Sequence, residues 1–317
     1  MAEALQRYRT VVFDSLRWEG LVFRDDDIVI STPPKCGTTW MQMVCALLIF
    51  QDPGLPSPLT ELSPWLDMQT APVADVIAAL DAQPHRRFIK THTPLDGVPF
   101  DQRVTYVCVG RDPRDVALSW DNHSANMNLD VLLAARAAAV GLADLAELLP
   151  EGPPPRPDDP VERFWAWMDA DPARGGGLAA TFHHFGTFWD RRHLHNVVLF
   201  HYADMEADLE GEMRRLAAVL DIDVPGPVWP SLIAAATYDS MRRRADDLAP
   251  QVRIPGFWHD NSRFFNSGRS GQWRTFMDHD GLARYEARVN QLAPPDLASW
   301  AHLGSRVATG AQSWAAG

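Results

Sequence analysis

Ser31-Thr32-Pro33-Pro34-Lys35-Cys36-Gly37-Thr38-Thr39-Trp40 follows the β-branched run Ile28-Val29-Ile30 and opens an apolar stretch from Met41 to Phe50. The run predicts a short strand and the stretch a helix, so the residues between them turn a strand into a helix. Free backbone N–H groups at a helix start, with the positive end of its dipole, receive an anion. Lys35 adds a mobile positive charge, and the Thr38 and Thr39 hydroxyls add donors. The segment reads as a phosphate cradle, and its strand-loop-helix setting is what makes the reading specific.

A Walker loop places its lysine after the last glycine, next to a hydroxyl that holds magnesium. Here Lys35 precedes Gly37, no glycine lies upstream in the loop, and Trp40 follows, where an indole can stack on a purine. The segment resembles the 5′-phosphosulfate loop of the cytosolic-type sulfotransferases, Tyr-Pro-Lys-Ser-Gly-Thr-Thr-Trp. Cys36 stands for its serine and Pro33 for its tyrosine.

Arg87-Phe88-Ile89-Lys90-Thr91-His92-Thr93-Pro94 reads as a strand with a polar tip. It matches the Lys-Thr-His-x-Pro catalytic segment of the same family residue for residue. An imidazole with an ordinary pKa of about 6.5 suits a base that takes a proton from a hydroxyl near neutrality. His92 is the candidate base, and Lys90 and Lys35 are candidates to meet developing negative charge.

The uninterrupted run Val104-Thr105-Tyr106-Val107-Cys108-Val109 predicts a strand buried on both faces, and Pro113 suits the first turn of a following helix. Arg111 and Ser119 match the Arg-(x)7-Ser pair that, in the family, binds the 3′-phosphate of 3′-phosphoadenosine-5′-phosphosulfate. An arginine fork suits that group better than a lysine point charge. Arg114 and Asp115 read as helix-surface residues. Asn196 to Met205 is another buried-strand pattern, with Tyr202 where the family places an adenine contact. Tyr238 and Met241 resemble its Ser-Phe-x-x-Met segment, which implies that Trp40 and Tyr238 sandwich the purine. Phe265-Asn266-Ser267-Gly268-Arg269 up to Trp273 parallels the family's Arg-Lys-Gly-x-x-Gly-x-Trp loop. Asn266 and Ser267 replace its Arg-Lys pair, Arg269 is the candidate to compensate, and backbone N–H groups at Ser267 and Gly268 are candidates for an anion nest. The family's dimer motif is absent after Trp273, so no oligomeric state is inferred.

Strands alternating with helices predict an α/β fold: a single domain, 1–317, with a central parallel sheet flanked by helices. The resemblance implies the P-loop-like sulfotransferase fold. Within it, a helical, proline-rich insertion covers about 126–177. Leu129 to Leu149 has helical periodicity broken at Gly141, Glu151 to Pro157 is an extended connector, and Phe164-Trp165-Ala166-Trp167-Met168 follows. Two readings stand, a cover for the sheet edge or an acceptor lid lined by Trp165, Trp167 and Met168.

Composition supports a soluble enzyme without naming one. No apolar run approaches the ~20 residues a membrane helix needs, and the N-terminus lacks a signal-peptide core. Three unclustered cysteines suit a reducing, cytoplasmic compartment. A net charge of −12 argues against non-specific nucleic-acid binding. His183, His184, His193 and His195 lack metal-ligand spacing, and no metal is expected. The resemblance implies sulfuryl transfer to a small-molecule hydroxyl, with a phenol or lipophilic alcohol favoured. The alternatives are a small-molecule kinase with an irregular P-loop, which would need magnesium ligands, and a catalytically silent adenine-nucleotide-binding protein.

Overall fold

The computed structural model describes residues 4–149, 152, 155–265 and 268–305. Four strands, β1 (Ile28–Ser31), β2 (Phe88–Thr91), β3 (Thr105–Gly110) and β4 (Val197–His201), form one parallel sheet in the order β2-β1-β3-β4. The register sets Ile28 beside both Phe88 and Thr105, and Tyr106 beside Val197. Successive side chains point to opposite faces. Ile28, Ile30, Phe88, Val107 and Phe200 therefore join one core cluster, and Val29, Ile89, Tyr106, Cys108 and Val197 the other.

The longer helices are α1 (Thr38–Phe50), α2 (Val73–Ala82), α3 (Pro113–Asn126), α4 (Leu129–Val140), α5 (Pro160–Met168), α6 (Gly177–Trp189), α7 (Leu209–Val219), α8 (Trp229–Ala236), α9 (His279–Leu292) and α10 (Pro295–Leu303). Residues of α1, α7 and α8 complete the first cluster, and residues of α3, α6, α9 and α10 complete the second. The sheet is thus covered on both faces. Helix α3 starts where expected: the Asp112 carboxylate caps the Arg114 N–H at 3.0 Å, and Pro113 occupies the first turn. Helix α10 starts at Pro295, a first-turn position where a missing N–H costs little.

At the β2 edge the neighbour of the sheet is not the insertion. The edge of β2 is met by the segment before α2, where the Lys90 N–H donates to the Pro64 carbonyl at 3.0 Å. The buried apolar residue of α4, Leu132, packs with Met68, Phe257 and Trp258, and α5 packs against α3 and α6. Helix α4 also holds an N-terminal strap. Buried Arg136 donates to the Val11 carbonyl at 3.0 Å and pairs with Asp144, which pairs in turn with Arg9 at 2.7 Å. Part of the expected connector, Glu151, Pro153 and Pro154, lies outside the described residues.

Candidate active site

All four strands deliver a site residue at their C-terminal ends, where ligands bind in open parallel sheets. β1 runs into the Lys35 loop, β2 into His92, β3 into Arg111 and β4 into Tyr202. These side chains line one cavity of about 320 Å³. Gly37, Thr38, Thr39, Trp40, Lys90, Ser119, Tyr238, Met241, Phe265 and Gly268 line it too.

The loop closes tightly. Lys35 and Gly37 both have left-handed backbones, φ 70° and 99°, which aim the chain into the start of α1. The Thr32 and Thr38 hydroxyls meet at 2.5 Å, tying the strand end to the helix start. Arg111 Nη1 donates to the Lys35 carbonyl at 3.0 Å. The Lys35 ammonium lies 3.4 Å from His123 Nδ1 and 4.3 Å above the Phe264 ring. Burial, then the charges of Arg111 and Lys90, lower its pKa to about 7. Cations crowded this way favour an incoming anion, which would restore their proton affinity.

His92 Nδ1 donates to the Thr32 carbonyl at 2.7 Å, and the ring stands edge-on to Trp65 at 4.7 Å. This bond leaves the lone pair on Nε2, so the neutral ring can accept a proton. Burial, then the Lys90 charge, hold the imidazole well below its ordinary pKa. Lys90, over the Trp65 ring at 4.2 Å, is itself lowered to about 7 by burial, against the pull of Asp67. Asp67 is fully buried. Its Oδ2 accepts from the hydroxyls of Thr91 (2.5 Å) and Thr93 (2.6 Å), the neighbours of His92, and from Trp18 Nε1 (3.1 Å).

At the other end, Arg111 is 6% exposed, and its Nε has no hydrogen-bond partner among the described residues. Its guanidinium lies 4.4 Å from the centre of the Tyr202 ring, and Nη2 reaches the Arg269 carbonyl at 3.5 Å. A buried donor without an acceptor in a cation-rich cavity fits an anionic group. Trp40 is fixed by its Nε1 bond to the Ala236 carbonyl at 2.8 Å. Gly268 has φ 64°, and a Cβ there would fall 2.5 Å from the Tyr238 ring.

Some expected residues stand elsewhere. Cys36 is outside the cavity lining; its thiol lies in the core cluster with Val29 and Cys108, and burial pushes its pKa up to about 12. The Arg269 side chain is exposed and only its carbonyl reaches Arg111. Asn266 and Ser267 lie outside the described residues. Arg114 and Asp115 are buried rather than on the helix surface. Arg114 pairs with Asp112 at 2.8 Å and stacks 3.5 Å from Trp273, while Asp115 accepts the Gly271 and Gln272 N–H groups at 2.6 and 2.9 Å. Asp115 thereby anchors the glycine loop to α3. Nor do Trp165, Trp167 and Met168 form a lid over the main cavity. Met168 is core, Trp165 stacks on Arg284, and Trp167 lines a side chamber of about 130 Å³ that His92 also lines, because α5 turns its apolar face to α3 and α6.

The remaining wall was not foreseen: Val11, Phe13, Trp65, Met68, Trp120, His123, Met127, Phe257, Trp258 and Phe264. One signal was available. Ser119, Trp120, His123 and Met127 recur at helical spacing, so one lining residue on α3 brings the others onto the same face.

The sulfotransferase-domain family matches residues 25–293. A glycolipid sulfotransferase of Mycobacterium bovis is 48% identical over 94% of this chain and 94% of its own length. Sulfotransferase 1A1 of Rattus norvegicus is 25% identical, covering 83% of this chain and 82% of its own. Among solved structures, a retinol dehydratase in complex with retinol and PAP superposes with a TM-score of 0.65 at 19% identity, covering 88% of this chain and 86% of its own. With a matching domain over most of its length and a full-length relative at nearly half identity, the chain belongs to the sulfotransferase family.

Proposed function

We propose that the protein transfers a sulfuryl group from 3′-phosphoadenosine-5′-phosphosulfate to a hydroxyl, with His92 as general base. The observation that carries this reading is the convergence of Lys35, Lys90, His92 and Arg111 on one cavity from three strand ends. The donor, when bound, supplies an SO3 group on a phosphate leaving group. The Lys35 loop and the start of α1 would hold its 5′ end. Buried Arg111 and half-buried Ser119 would hold the 3′-phosphate, and Trp40 and Tyr238 the adenine. His92 Nε2 takes the proton of the acceptor hydroxyl. Lys35 offsets charge on the departing oxygen, and Lys90 charge at the sulfuryl group. Positioning and electrostatics supply most of the rate in such transfers.

The acceptor favoured here is an amphipathic alcohol of the glycolipid class rather than a simple phenol. Supporting it are the broad wall of Trp65, Trp120, Trp258, Phe257 and Met68 and the name carried by the mycobacterial relative. Among the described residues, no Asp or Glu lines the cavity, whereas a kinase needs oxygen ligands for magnesium. No helix among the described residues is long and apolar enough to cross a membrane, and the three free, buried cysteines suit a cytoplasmic setting.

The test is transfer of labelled sulfate from the donor to a glycosylated lipid, to its headgroup alone and to a phenol, beside ATP with magnesium. Labelled lipid with no ATP turnover supports the reading. Binding without transfer to any acceptor would establish a silent binder instead.

A further inference from the structure

His123 has no part in the chemistry above, yet it lines the same cavity on α3, one helical turn beyond Ser119. Its ring is boxed by Trp120 at 5.5 Å, Trp258 at 4.9 Å and Phe264 at 5.9 Å. From that box Nδ1 meets the Lys35 ammonium at 3.4 Å, while the Phe264 face receives the same ammonium. An ammonium only donates, so Nδ1 accepts and the imidazole proton resides on Nε2. Burial, followed by the charge of Lys35, keeps this ring neutral.

The charge of the partner decides what the contact is for. Among the described residues, the titratable and charged groups around Lys35 are Arg111 just after β3, Lys90 on β2 with His92 just after it, His123 from α3 and Cys36 in the loop itself, with no carboxylate among them. No ion pair among the described residues involves Lys35. A carboxylate at position 123 would hold the lysine by neutralising it, and would repel an anionic ligand. A neutral acceptor fixes the flexible side chain and leaves its charge available. The backbone end is already pinned by Arg111 on the Lys35 carbonyl.

We propose that His123 is a positioning residue for Lys35, holding its ammonium beside the phosphate cradle until the anionic end of the nucleotide takes it over. The proposal rests on the donor reading above, and its test is read first by binding, so the two can fail separately. Calorimetric affinity for adenosine 3′,5′-bisphosphate is measured from about pH 6 to about pH 9 for the wild type, His123→Phe and His123→Gln. Phenylalanine keeps the aromatic packing and removes the acceptor; glutamine restores an acceptor oxygen. His123→Phe should bind about tenfold more weakly at pH 8, with its loss of affinity beginning at lower pH, and His123→Gln should recover to within about threefold. Should the phenylalanine variant not fold, His123→Met carries the same comparison. Unchanged affinity and pH dependence in His123→Phe would overturn the proposal, as would a glutamine variant as weak as the phenylalanine one, which would assign the ring to packing alone. A wild type that binds the bisphosphate but transfers no sulfate sinks the donor reading and leaves this test standing.

Discussion

His92 Nδ1 lies 2.7 Å from the carbonyl oxygen of Thr32, so the residue after β1 sets the tautomer of the imidazole that follows β2. The two strands are neighbours in parallel register, with Ser31 beside Thr91. The loop that presents Lys35 and the strand tip that presents His92 are therefore held as one unit.

His92→Ala should lose at least about a hundredfold in turnover while still binding adenosine 3′,5′-bisphosphate. Because burial holds the imidazole well below its ordinary pKa, the neutral, proton-accepting ring is already present at neutrality. The acid limb of kcat should therefore fall well below pH 6.5. Steady-state rates across pH check both statements, and near-normal turnover in the variant would remove His92 from the chemistry.

Lys35→Met should cost turnover about a hundredfold or more, since it deletes the charge beside the cradle. In the nucleotide-free protein Lys35 and Lys90 both have pKa values near 7. The bound anion favours their charged forms, so binding takes up protons, and affinity falls as pH rises above about 7. Below about pH 6 protonation of the 3′-phosphate weakens binding from the other side. Calorimetry in buffers of different ionisation enthalpy measures the proton uptake; its absence near pH 8 would contradict the depressed lysines.

Arg111→Ala should erase most discrimination between adenosine 3′,5′-bisphosphate and AMP. A charge-assisted hydrogen bond to phosphate contributes about 1.5–3 kcal/mol, so the bisphosphate should weaken about tenfold to a hundredfold and AMP little. Equal losses for both ligands would move the 3′-phosphate away from Arg111.

Gly268→Ala combines a strained φ with a clash against the Tyr238 ring. Such backbone strain costs about 1–3 kcal/mol, and the readout is weaker nucleotide binding, because Tyr238 must shift out of the cavity wall. Unaltered affinity would separate Tyr238 from the nucleotide.

Arg87 and Asp27, both at most 1% exposed, form a buried pair at the N-terminal ends of β2 and β1, with Arg87 Nε 2.9 Å from Asp27 Oδ1. Arg87→Met leaves the Asp27 carboxylate buried without its partner, at a cost of about 3–5 kcal/mol. A large drop in melting temperature is expected; a change within about 1 kcal/mol would show that Asp27 is rescued by another group.

The strands, their order of use and most of the cation set were legible in the chain itself. Ile28-Val29-Ile30 and Val104 to Val109 are buried on both faces, which leaves continuous apolar runs, and a phosphate cradle is built from consecutive residues whose spacing survives as a motif. Lys35, Lys90, His92 and Arg111 each sit within a few residues of such a run. Several long-range contacts have no local signature. Asp67 meets Thr91 and Thr93, Asp115 the Gly271 and Gln272 backbone, and His123 the Lys35 ammonium, each across a gap that only the fold closes. Arg114 reads as surface until Trp273 and Asp112 enclose it. Local pattern thus determined the strands and the residues at their tips. The tertiary structure decided which neutral or charged partner holds each reactive group, because burial and pairing across distant segments obey packing and desolvation rather than sequence spacing.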